Sequence, residues 1–201
     1  MGLTGIILSA KIKLKNIESA YIRQESIKAE NLDEIFQLFE ESEDWTYTVA
    51  WIDCLQKGKN IGRSILMRGE HALKVELPFK LADKPLRLKK KFSPTVPFYF
   101  PKFVLNKFTV KAFNFLYFNK QRAKVVKNII DYETFFYPLD AINDWNRIYG
   151  KSGFIQYQMV IPKEKGEEGM RRILETIANS GQGSFLAVLK LFGKNNPLAY
   201  N

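Results

Sequence analysis

Residues 45–54 read WTYTVAWIDC, a run dominated by β-branched and aromatic side chains, followed by the turn-rich KGKNIGR at 57–63. Such a run predicts a strand, the glycines and asparagine predict a reversal, and SILMRG (64–69) predicts the short strand that follows. Upstream, residues 19–28 predict another strand. Asn31 then caps a helix, with Glu34 in capping-box spacing and Leu32, Ile35, Phe36 and Phe39 on one face. Residues 3–14 (LTGIILSAKIKL) end in alternation and predict a first strand. Downstream, 140–149 predicts a short helix ended by Gly150. FIQYQMVI (154–161) predicts a strand closed by Pro162, 167–178 an amphipathic helix, and SFLAVLKLF (184–192) a last strand. Strands paired with helices in this way give an α+β fold: a mostly antiparallel sheet with helices packed on one side.

The 201 residues suffice for one large domain with a core that needs no staples. One cysteine, Cys54, excludes an internal disulfide framework. With only His71 beside it, the common zinc sets are excluded and no metal is expected. No apolar run reaches the roughly 18 residues of a membrane span, and no charged-then-apolar leader opens the chain, so a cytoplasmic protein is expected.

The net charge of +10 is unevenly spread. Residues 80–127 hold thirteen Lys or Arg against a single acid, Asp83, whereas the rest of the chain holds eighteen bases against twenty acids. The same stretch carries ten of the 28 aromatic residues, and four of the eight prolines lie between Pro85 and Pro101. This reads as an irregular excursion that meets something anionic. Single-stranded nucleic acid would stack on the aromatics, and an anionic membrane face would take the same charges at headgroup level. A solvated basic loop packed on its own domain fits the composition equally well.

Catalytic motifs are missing. There is no GxGxxG, and GKNIGR lacks the lysine and hydroxyl of a phosphate-binding loop. Any Ser-His-Asp or Cys-His arrangement would need His71, which lies beside Glu70 and is expected at the surface; Cys54 is expected to be a buried structural thiol. Three polar residues do interrupt apolar strands. Gln156 and Gln158 would share one face of FIQYQMVI, and Lys190 would share a face with Leu186, Val188 and Phe192. Trp51 would share a face with Val49 and Asp53. These side chains would either line a ligand pocket with an apolar floor or face solvent on a half-exposed sheet.

Four strings point to a family. GLTGIIL (2–8), AWIDCLQKGKNIGRSILMRGEH (50–71), FFYPLDAINDWNRIYGKSGFIQYQMVIP (135–162) and GSFLAVLKLFG (183–193) resemble the flavin-linked oxidases of the decaprenylphosphoryl-ribose oxidase type, within the vanillyl-alcohol-oxidase superfamily that also holds the aldonolactone oxidases. The resemblance runs in order over nearly the whole chain. It implies a fragment: residues 1–16 as the last strand of an FAD-binding domain and 17–201 as a substrate-binding domain, incomplete at its C-terminus, with the basic aromatic excursion at 80–127 near the pocket mouth. The implied chemistry is hydride transfer from a sugar carbinol, on a polyprenyl-phosphoryl sugar or an aldonolactone, to FAD bound mostly by a domain absent here. The isolated chain is then expected to be inactive.

By position the resemblance makes Gly5 and Ile7 flavin contacts. Trp51, Gln156 and Gln158 become pocket residues, and Lys190 a base near substrate and flavin. Leu139, Leu186, Val188 and Phe192 become apolar walls. Phe136 and Tyr137 stand where the mycobacterial members have tyrosine and histidine, so a hydroxyl is lost or moved. The basic residues, Lys89, Lys90 and Lys91 among them, would dock the loop on an anionic membrane, placing the protein at the periphery of the inner membrane. Nucleic acid becomes the less favoured partner, and a stand-alone basic binding module for membrane or nucleic acid is the alternative function.

Overall fold

A computed structural model describes residues 5–89 and 91–193. Strands β1 (Tyr21–Ala29), β2 (Tyr47–Ile52), β3 (Ser64–His71), β4 (Val125–Asp131) and β5 (Val188–Leu189) form one antiparallel sheet in the order β4-β1-β3-β2-β5. The helices are α1 (Leu32–Glu40), α2 (Phe79–Ala82), α3 (Lys107–Lys120), α4 (Tyr132–Phe136) and α5 (Gly166–Ser180). The architecture is α+β, as the alternation of patterns predicts.

Helix α1 starts where the cap was expected: Asn31 Oδ1 accepts from the Glu34 amide at 2.9 Å. Its Leu32, Ile35, Leu38 and Phe39 are buried, each contributing about 2 kcal/mol of apolar transfer free energy. Together with Leu174 and Ala178 of α5 they cover the sheet face that carries Ile27, Ala50, Ile52 and Leu66. Gly62 makes the β2–β3 reversal fit beneath α1. Its φ is +73°, and a Cβ there would lie 2.9 Å from Leu32 Cβ.

The basic stretch is not irregular throughout. It contains α2, the whole of α3 and the start of β4. Asn106 caps α3 by accepting from the Phe108 and Thr109 amides at 2.8 and 3.1 Å. Val110, Asn114 and Phe118 form the buried stripe at i, i+4 and i+8, but Phe108, Phe113, Phe115 and Leu116 are exposed around it. Apolar side chains on every side of α3 hide its period.

Three predicted strands are corrected. Residues 5–14 form no strand, and Ile6, Ile7 and Leu8 are exposed; residues 3 and 4 of that prediction lie outside the described residues. Residues 154–161 likewise form no strand, with Ile155 96% exposed. In 184–192 only Val188 and Leu189 pair, extended by the Ile52 amide donating to Ala187 O at 3.1 Å. A β-prone pattern becomes a strand only where another strand satisfies its backbone groups; among the described residues none does so for 5–14 or 154–161, and β2 does so for only part of 184–192. The predicted helix at 140–149 is instead two 3-10 turns, Pro138–Ala141 and Trp145–Tyr149, the second ended by Gly150 at φ +72°. No helix among the described residues is long and apolar enough to cross a membrane.

Candidate functional site

The sheet face opposite α1 and α5 collects the side chains that alternate outward: Tyr47, Val49 and Trp51 of β2, Ile65 and Met67 of β3, and Gln24 and Ser26 of β1. Aromatic groups stand over both ends of it. At one end α3 lays Phe118 and Tyr117 on Trp51 and Ile65, with the Tyr117 ring 4.6 Å from Trp51. At the other, α4 brings Phe136 to 4.9 Å from Tyr47, edge to face, and Phe135 to 6.2 Å. Gly69 admits the Phe135 ring, since a Cβ there would lie 2.9 Å from it. Tyr47 and Trp51 are four residues apart on β2, a span of about 13 Å. On the floor between them Gln24 Nε2 donates to Ser26 Oγ at 2.7 Å, a polar pair among apolar walls.

Trp51 is 95% buried, and its indole N–H donates to Phe185 O at 2.9 Å. Rings continue outward from it: Tyr117 stacks on Phe113, Phe113 meets Phe185, Phe185 stacks on Tyr149, and Tyr149 lies 4.4 Å from Phe154. Burial pushes the hydroxyls of Tyr117 and Tyr149 above the ordinary tyrosine range. The sequence puts the stretch that contains Phe113 and Tyr117 near a pocket mouth, but predicts neither the helix α3 nor the packing of these rings with Phe185 and Tyr149 around Trp51. The same-face spacing of Tyr47, Val49 and Trp51 was the available signal for the β2 half.

Beneath α3 lies a buried polar anchor. Asp53 accepts from Arg63 Nη2 at 2.8 Å and Nε at 3.0 Å, from Asn114 Nδ2 at 2.8 Å and from the Leu55 amide at 3.1 Å. Asp53 thus lies on the side of the strand that carries Trp51, as the alternation predicts, and holds α3 there. Cys54 is buried as expected, bonded to Ser184, and burial pushes its thiol up. His71 is half-buried, with Nδ1 3.1 Å from Ser19 O and its ring edge-on to Tyr47. It is a structural residue of the face rather than a free surface histidine.

The structure brings some predicted residues together and leaves others apart. Val188 lies opposite Trp51 in the β2–β5 ladder, and Leu186 is two residues before it; both are partly exposed. Lys190 and Phe192 follow Val188 and are exposed, and Lys190 makes no hydrogen bond among the described residues. Phe136 stands at the far end beside Tyr47, and Leu139 is half-buried in the 3-10 turn after it. Gln156 and Gln158 lie in the exposed segment that forms no strand, without hydrogen bonds among the described residues. Of the three basic residues, Lys89 is exposed, Lys91 pairs with Asp131, and Lys90 lies outside the described residues.

No group of three or more His, Cys, Asp or Glu suited to a metal occurs among the described residues. The fit to a flavin is incomplete. Gly5 has φ +154°, but the space its missing Cβ would fill is open, and Ile7 is 79% exposed. These residues alone do not cradle a flavin ring.

No family model matches the chain. Among curated proteins it is 23% identical, over 98% of its length, to an uncharacterized protein in the mprA 5' region of Streptomyces coelicolor, of which it spans 55%. It spans 44% of the decaprenylphosphoryl-beta-D-ribose oxidase of Mycolicibacterium smegmatis. Over 99% of its own length the chain is 38% identical to that oxidase and resembles a fragment of it.

Proposed function

We propose that these residues are the substrate-binding portion of a flavin-dependent oxidoreductase that oxidises a sugar carbinol, with a polyprenyl-phosphoryl sugar as substrate. The observation that carries this reading is the collinear similarity to an oxidase over 99% of the chain. The half-open face from Trp51 to Phe136 is compatible with it, since apolar and aromatic walls around a few polar groups suit a sugar ring on a lipid carrier. In the whole protein FAD would take the hydride, and most of its contacts would come from residues outside this chain.

The chain's own part is to bind and orient. Trp51, Leu139, Leu186, Val188 and Phe192 would shape the wall, and Gln156, Gln158 and Lys190 would read the sugar. Phe136 would close the end where the resemblance places a hydroxyl. Residues 1–16 would belong with the flavin domain and 17–201 with the substrate domain. Gln156, Gln158 and Lys190 are exposed in the isolated chain and would need to turn toward the sheet to read the sugar. Association with the inner face of a membrane would bring the enzyme to its lipid-linked substrate.

The experiment is oxidation of decaprenylphosphoryl ribose by the natural protein that contains these residues, compared with its Lys190→Ala and Gln158→Ala variants. Turnover that falls in both variants supports the reading. Turnover indifferent to both removes these residues from the site. Purified alone, the 201-residue chain should be colourless and inactive; a stoichiometric yellow chromophore would contradict that.

A further inference from the structure

Between α2 and the chain that follows it lies a cleft of about 350 Å³, lined by Lys80, Lys84, Arg87 and Lys89 with Tyr21 at its base and Asp83 as its single acid. Its frame is tied to the sheet. The Ala20 amide donates to Pro85 O at 2.9 Å, the Arg87 amide to Lys84 O at 3.0 Å, and the Tyr21 hydroxyl to Arg87 O at 3.2 Å. Below it Tyr21, Ala72 and Leu77 form a small core with Leu81 and Leu88.

Among the described residues the four basic side chains have no ion-pair partner. Elsewhere in the same stretch Lys91, Lys124 and Lys127 pair with Asp131, Glu34 and Glu25. Lys80, Lys84, Arg87 and Lys89 make no salt bridge among the described residues, although they converge on one cleft. Like charges held close repel one another, and an anion between them relieves that repulsion. Lysine and the guanidinium fork of arginine are the side chains that hold phosphate oxygens.

Exposed apolar side chains flank the cleft in sequence. Phe79, next to Lys80, is 93% exposed; Leu86, next to Arg87, is 62% exposed; Phe92, next to Lys91, is 90% exposed. Bases that seek phosphate beside apolar groups left in water match an anionic bilayer surface, where headgroups take the charge and the acyl boundary takes the apolar tips.

We propose that the Lys80–Lys84–Arg87–Lys89 cleft seats the phosphate of an anionic lipid headgroup and docks this face on a membrane. The seat is distinct from the sugar-binding face and does not depend on the flavin reading, because lipid binding needs neither flavin nor turnover. Lys89 belongs to the seat, whereas Lys91 is paired with Asp131.

The test is flotation of the 201-residue chain with phosphatidylcholine vesicles, with and without a minority of phosphatidic acid. The chain should partition onto the acidic vesicles and not onto the neutral ones. Lys84→Gln with Arg87→Gln should weaken that partition about thirtyfold, at roughly one kilocalorie per mole per charge near the surface. The anchor to Tyr21 uses the backbone of Arg87, so the doubly substituted chain retains it; circular dichroism checks the fold. Lys111→Gln with Lys120→Gln, an equal charge loss on α3, should stay within about threefold of the parent. Equal losses from the two pairs, or no preference for acidic vesicles, would overturn the seat. Inorganic phosphate or a single-stranded oligonucleotide binding as tightly as the vesicles, with loss in the Lys84/Arg87 variant, would overturn the lipid as occupant.

Discussion

Asn114 of α3 donates its side-chain amide to Asp53 at the end of β2, at 2.8 Å, and both residues are fully buried. This bond ties the helix above Trp51 to the strand that carries Trp51. The carboxylate is balanced by Arg63, whose guanidinium also lies 4.8 Å from the Phe118 ring. Charge, helix position and the covered end of the aromatic face are therefore one connected unit.

Asn114→Ala should remove that tie and leave one carboxylate oxygen underbonded, at a cost of about 1–3 kcal/mol. Asp53→Ala should cost more, about 3–5 kcal/mol, because it strands the buried Arg63. Urea unfolding measures both. In the Asn114 variant a red shift of tryptophan emission before global unfolding would report α3 lifting from Trp51.

Cys54 should resist alkylation in the folded protein. Its thiol is buried and its titration is pushed up, so at mildly alkaline pH less thiolate forms than in a free cysteine. Iodoacetamide labelling followed by mass spectrometry should be slow under native conditions and fast in denaturant. Equal rates would place the thiol at the surface.

Acid should loosen the β1–β4 edge. Glu25 titrates below the ordinary glutamate range because Lys127 bonds it at 2.7 Å and Arg68 adds a second charged partner. A depressed carboxylate contributes stability above its unfolded pKa of about 4.3, and that stability is lost as pH falls through the lower folded pKa. Glu25→Gln should therefore lower stability at neutral pH and flatten its decline in acid. An unchanged pH profile of the melting temperature would remove Glu25 from the acid response.

Lys190→Ala in the natural protein should lower kcat/KM for the lipid-linked sugar at least about tenfold, as expected for loss of a charged hydrogen bond in a site. Phe136→Tyr should shift the preference among sugars, since it restores the hydroxyl that the resemblance places there. Steady-state kinetics on two epimeric substrates reads both effects.

The parts of the fold legible in the sequence are those whose partners lie nearby in the described structure. WTYTVAWIDC and SILMRG pair with each other, and α1 carries its own cap and a one-sided apolar face. The same alternation in FIQYQMVI, and in residues 5–14, finds no ladder among the described residues, so period alone overstated the sheet. Helix α3 was missed for the opposite reason: its buried stripe of Val110, Asn114 and Phe118 is interleaved with exposed rings, and one member of the stripe is polar. Of the candidate site, Trp51 and Val188 were each legible as candidate pocket positions on their own strand, but their pairing across the β2–β5 ladder was not. Tyr117 and Phe185, which enclose Trp51, come from segments distant in sequence, and no local pattern announces them.

The most direct measurement is the anaerobic absorbance spectrum of the natural protein containing these 201 residues, before and after addition of decaprenylphosphoryl ribose. A bound flavin band that bleaches as the sugar is oxidised is expected. A flavin-free protein, or a flavin band that the lipid-linked sugar leaves unchanged, would contradict the proposed function.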